Sequence, residues 1–269
     1  MEFVSSHRLT TAAIAAVFWL GCCALAQDAP PAAPAGAAVQ EPAPTAPPKP
    51  VELTIEQRGD LMMARKMFRE AIDIYRTGLK LPGSWILYNK IGIAYHHLMD
   101  FKSARKNYEE ALKKNRQYGE AQNNLGAVFY AQKNYRRSIQ EYQKALKLNP
   151  YSATIYSNLG TAYYARKNYK AAMESYGKAL SLDPMVFEQR GTTGSILQER
   201  SVEEQARFHY YLAKSYAQAG MTEYALRYIR RCLEEGFKER QRFLEEPEFA
   251  GLKELPEFQQ LMAMEIRVL

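Results

Sequence analysis

The chain has 269 residues with a formal charge of +7; 47% of its residues are hydrophobic and 24% charged. That is enough to bury the core of one elongated domain with a tail, and it excludes a chain made wholly of low-complexity sequence. The basic balance admits acidic partners, nucleic acid and anionic envelope polymers among them, but Lys and Arg are interleaved with Glu, as on a solvated helix face, so nucleic acid is not the expected partner.

Residues 1–26 read as a secretory signal peptide. Arg8 gives a weakly basic start, Leu9 to Leu25 is an apolar run, and Ala24-Leu25-Ala26 is an A-x-A site that makes Gln27 the first mature residue. Two anchored readings stay open beside cleavage. The run is close to the lower limit of about 17–18 residues for a membrane span, and Cys22 or Cys23 offers a site for lipidation. All three readings place the rest of the chain outside the cytoplasm, periplasmic or secreted, and two of them attach it to the membrane through its N-terminus. Cleavage leaves Cys232 as a single thiol, which cannot form an internal disulfide.

Residues 27–50 form an Ala/Pro-rich linker, with eight prolines between Pro30 and Pro50. Such a segment cannot bury a core, and it is expected to be extended and semi-rigid.

From residue 51 a helical pattern begins, with a period of 34 written most plainly in 119–186. Leu125-Gly126, Phe129, Ser138, Tyr142, Ala145 and Pro150 recur as Leu159-Gly160, Tyr163, Ala172, Tyr176, Ala179 and Pro184. The spacing gives two apolar helical stripes per unit, joined by a short polar turn such as Lys133-Asn134-Tyr135. Gly126 and Gly160 fall mid-helix, where glycine costs about 0.5–1 kcal/mol against alanine; that is expected where a neighbouring helix comes too close for a Cβ. Units are read at 52–84, 85–118, 119–152, 153–186 and 206–239, with an insertion at 187–205 and a C-terminal cap at 240–269. Cys232 takes the place held by Ala145 and Ala179, so it is read as a small buried residue. Within the insertion, Arg190 to Ser195 reads as a polar loop, either bordering or covering the groove or a tolerated surface insertion, and Ser201 with Glu204 as a capping box.

This pattern resembles the tetratricopeptide repeat. The resemblance implies an all-α fold: an α-solenoid of about five helix-turn-helix units in a right-handed superhelix, closed by a C-terminal capping helix. It also implies that the first helix of each unit lines a concave groove. Carried over by repeat position, the groove residues are Asn89, Lys90, His96, Asn123, Asn124, Tyr130, Ser157, Asn158, Thr161, Tyr164, Tyr210 and Lys214. Asn124 and Asn158 precede Leu-Gly, where asparagines form a ladder in some such proteins; an amide carries both donor and acceptor and can pair with a peptide backbone whatever its sequence. Tyr130 and Tyr164 are expected to add flat apolar surface with a polar tip.

No catalytic motif accompanies the repeats. His96 and His97 are adjacent, and adjacent residues on a helix do not face one way, so neither a metal nor a cofactor is expected. The sequence therefore reads as a non-catalytic scaffold in the bacterial cell envelope that binds a protein or peptide. Two other readings are a structural subunit or lipoprotein of an outer-membrane or pilus assembly complex, and a binder of anionic envelope polymer.

Overall fold

Ten helices, paired antiparallel, carry most of the described residues, and the second helix of each pair shows why they form. In a computed structural model that describes residues 52–188 and 201–264, the pairs are α1 (Ile55–Ala64) with α2 (Phe68–Thr77), α3 (Ser84–His97) with α4 (Phe101–Lys114), and α5 (Gly119–Ala131) with α6 (Tyr135–Leu148). They continue as α7 (Ala153–Ala165) with α8 (Tyr169–Leu182) and α9 (Val202–Gln218) with α10 (Thr222–Glu234). On α6, Ser138, Ile139, Tyr142 and Ala145 make one buried stripe while Arg136 and Lys147 face out. No strand occurs among the described residues, and the all-helical stack of hairpins expected from the sequence is present. The segments read from the sequence as a signal peptide (1–26), a linker (27–50) and a polar loop (Arg190 to Ser195) lie outside the described residues.

Every hairpin turns by the same device. Lys66, Met99, Lys133 and Lys167 adopt left-handed geometry with φ between 58° and 62°, and Gly220 holds the equivalent place at 72°. In the third unit Lys133 N–H donates to the Tyr130 carbonyl and Asn134 N–H to that of Phe129, each at 2.8 Å, satisfying carbonyls that the helix end would orphan. The next residue then starts the second helix: the side chains of Asp100, Asn134 and Asn168 accept from the backbone N–H of Ser103, Arg137 and Ala171. Ser201 caps α9 in a capping box with Glu204.

Burial runs across the pairs as well as within them. Ala104 and Tyr108 of α4 share a core with Leu125, Val128 and Phe129 of α5; Tyr142 and Ala145 of α6 share one with Ile155, Leu159 and Ala162 of α7. Each unit thus covers its neighbour's apolar face, as a one-dimensional stack requires. The last pair is sealed by α11 (Arg242–Glu245), a 3-10 turn (Pro247–Leu252) and α12 (Pro256–Ala263), which bury Phe243, Phe249 and Phe258.

Candidate functional site

The first helices α3, α5 and α7 lie side by side, and a cleft of about 480 Å³ opens over them. Its wall includes Asn89, Ile93 and His96 of α3, Asn123 and Asn124 of α5, and Thr154 of α7. Each of these helices packs closely on the second helix of its own unit, because the glycines at 92, 126 and 160 leave the tyrosines at 108, 142 and 176 room to lie against them.

A continuous chain of amides crosses the cleft. Asn158 Nδ2 donates to Asn123 Oδ1 at 3.0 Å, Asn123 Nδ2 to Asn124 Oδ1 at 3.3 Å, and Asn124 Nδ2 to Asn89 Oδ1 at 3.0 Å. Asn89 Nδ2 then donates to the Tyr118 hydroxyl at 3.3 Å, which donates to Glu120 at 2.9 Å. The repeat pattern points to two rungs; the structure links four asparagines on three helices. Each amide has two N–H groups and two lone pairs, so the chain fixes every amide's orientation and leaves bonding capacity over. Asn89 and Asn158 are buried, at 3% and 8% exposure, whereas Asn123 and Asn124 are half-buried and reach the cleft.

His96 lines the same cleft, 6% exposed, packed edge-on against Phe101, and its Nε2 has no partner among the described residues. Burial, with a smaller contribution from His97, lowers its pKa to about 4, so the imidazole is neutral at pH 7. Glu120 is also on the wall, a groove residue that the sequence reading misses. Its position at the start of α5, one repeat before Thr154 at the start of α7, is the available signal.

The other expected groove residues lie elsewhere. Lys90 is committed to α1, with Nζ 2.7 Å from Asp60 and 3.1 Å from Glu56. Ser157 and Thr161 are half-buried on α7 and do not line the cleft, the Thr161 hydroxyl donating to the Ser157 carbonyl. Tyr130 and Tyr164 offer little open surface: both are buried, Tyr130 beside Tyr135 and Tyr164 between units with its hydroxyl donating to the Glu204 carbonyl. The reason is that these two rings, near the ends of α5 and α7, pack into the cores shared with the next unit.

Tyr210 and Lys214 require a correction too, since the chain's own C-terminal segment covers them. Tyr210 is fully buried, stacks on Phe237, and donates its hydroxyl to Glu246. Lys214 pairs with Glu246 at 2.8 Å and Glu248 at 3.2 Å. Of the expected groove residues, Asn89, His96, Asn123 and Asn124 line the cleft over the second to fourth units, and Lys214 lines a separate hollow with Tyr169 and Tyr211. Cys232 is fully buried and burial pushes its thiol pKa up, which leaves it unreactive.

A model described as "TPR repeat" matches residues 128–166, and one described as "Tetratricopeptide repeat" matches 153–185. No curated protein matches the sequence. Among solved structures, pilF of Pseudomonas aeruginosa is similar with 21% identity over 71% of this chain and 78% of that one, at a TM-score of 0.50. A MamA structure is 22% identical over 69% of this chain and 96% of its own, at a TM-score of 0.47. At such identity the likeness concerns the fold alone. The two family matches thus cover residues 128–185, within the stack of helical hairpins that the structure continues on either side.

Proposed function

We propose that this protein is a non-catalytic interaction scaffold that binds an extended peptide or protein segment along the cleft over α3, α5 and α7. The observation that carries this reading is the asparagine chain. Its amides are oriented by one another, so the N–H groups and lone pairs left over at Asn123 and Asn124 are held ready for a peptide backbone. Preorganised polar groups on helices lose little entropy on binding, which suits them to recognition.

The test is capture from an envelope extract with the native protein and with an Asn123→Ala/Asn124→Ala double variant, both shown to be folded by circular dichroism. The native bait is expected to retain proteins that the variant loses. Recovery of the same proteins at the same yield would sink the reading.

We also propose export, on the strength of the leader and the A-x-A site at Ala24–Ala26. Protease added to intact spheroplasts is expected to digest the repeats; protection until lysis would refute export.

A further inference from the structure

The cleft carries a charge opposite to that of the chain. The protein has a formal charge of +7, yet no Lys or Arg lines the cleft and Glu120 does. Among the described residues Glu120 receives a hydrogen bond from the Tyr118 hydroxyl and makes no ion pair. Towards the N-terminal end, Glu56 and Asp60 share the single ammonium of Lys90, leaving two carboxylates against one cation. His96 and His97 add no positive charge, because burial lowers both pKa values. The cleft, about 480 Å³, is in the size range of sites that enclose a small ligand or a short segment. One polar group in its wall is unsatisfied: the Nε2 of His96, a side chain 6% exposed. A buried polar atom left without a partner calls for an explanation, and a ligand group is one.

We infer that the segment bound in this cleft is cationic: a peptide with Lys or Arg placed to meet Glu120, its backbone running over Asn123 and Asn124. This rests on the proposed binding function and names the class of ligand. Glu120 stands in the first turn of α5, where the positive end of the helix dipole favours an acidic side chain, and its carboxylate has lone pairs to spare for an ammonium or guanidinium. An acidic segment would meet repulsion at Glu120 and find no cation in the wall to answer it. Selection would therefore act through both attraction and exclusion.

The experiment is fluorescence anisotropy on the full chain with two labelled peptides of equal length, one alternating Lys and Ala, the other Glu and Ala. A protein of positive net charge repels the first and attracts the second, so simple net charge predicts the opposite order. The Lys/Ala peptide is expected to bind and the Glu/Ala peptide not. Glu120→Gln should weaken the Lys/Ala peptide about three- to fivefold, the measure of an exposed ion pair. Glu234→Gln, which removes an exposed carboxylate from α10, should leave it unchanged. Equal or tighter binding of the Glu/Ala peptide, equal effects of the two variants, or no binding of either peptide would each overturn the inference. If the Asn123→Ala/Asn124→Ala protein still loses captured partners in that event, the groove reading stands and only its cationic ligand falls.

Discussion

Gly126 faces the ring of Tyr142 so closely that a Cβ on the glycine would lie 2.7 Å from the ring carbons. The same pairing recurs at Gly92 with Tyr108 and Gly160 with Tyr176, at 2.5 Å in both. It sets the distance between the two helices of each unit, and with it the position of α3, α5 and α7 under the cleft. Gly126→Ala should therefore destabilise by about 1–3 kcal/mol through overpacking, against the usual helical gain. Gly177, inside α8, has nothing within 4 Å of its would-be Cβ. There Gly177→Ala should stabilise by about 0.5–1 kcal/mol. Denaturant midpoints that move in the same direction for both variants would contradict the packing argument.

The turns store a second, opposite effect. Lys133 holds φ at 58°, a conformation that costs an L-residue roughly 1–2 kcal/mol and glycine almost nothing. Glycine's greater freedom in the unfolded chain takes back part of that gain, so Lys133→Gly should stabilise by about 0.5–1 kcal/mol. The last unit already has Gly220 at this place with φ 72°, and Gly220→Lys should destabilise it by a similar amount. A thermal melt of each variant checks both signs.

The hairpins are legible in the sequence because their signals are local: Gly126 with Tyr142, Asn134 after the turn, and the stripe on α6 all sit at fixed intervals. Much of the cleft is legible too, since Asn89, His96, Asn123 and Asn124 meet there by repeat position alone. Repeat position does not reveal competition for those sites from within the chain. Lys90 holds a ladder position, but the carboxylates of Glu56 and Asp60, one unit away, bind it. Tyr210 and Lys214 occupy the same repeat positions as open residues in earlier units, and the acidic Glu246-Pro247-Glu248 segment closes over them. No period in the sequence announces a contact made once, between the last repeat and the C-terminal cap.

His96 makes stability depend on pH in a definite window. Its pKa in the folded protein is about 4 against an ordinary 6.5, so the unfolded chain takes up the proton first. Its contribution is whole above pH 6.5 and is lost as the pH falls from 6.5 towards 4. The loss amounts to roughly 2–3 kcal/mol. His96→Gln removes the titrating group and keeps a polar side chain, so it should lose that much less stability than the native protein between pH 7 and pH 4.5. Urea melts at the two pH values read the difference. Parallel losses would show that His96 is not held neutral by its surroundings.

Lys214 and Glu246 lock the C-terminal segment onto the last repeat, and their coupling is measurable. Both are largely withdrawn from solvent, with side-chain exposures of 14% and 17%, and Arg242 adds a second cation 2.7 Å from Glu246. Burial alone would raise the Glu246 pKa, but Lys214, Tyr210 and Arg242 outweigh it and hold the carboxyl below its usual range. Its stabilisation is thus present above the ordinary carboxylate pKa and disappears as the pH falls through the lower folded-state value. Lys214→Met should cost about 2–3 kcal/mol at pH 7, because Glu246 and Glu248 are left with a cation fewer. Glu246→Gln should be destabilising at pH 7 and approach the native protein in acid, where both side chains are uncharged. A Lys214→Met/Glu246→Gln double-mutant cycle at pH 7 is expected to give a coupling of about 1–2 kcal/mol. Additive effects within about 0.3 kcal/mol would mean that the aromatic side chains Phe243 and Phe249 hold the cap in place without the ion pair.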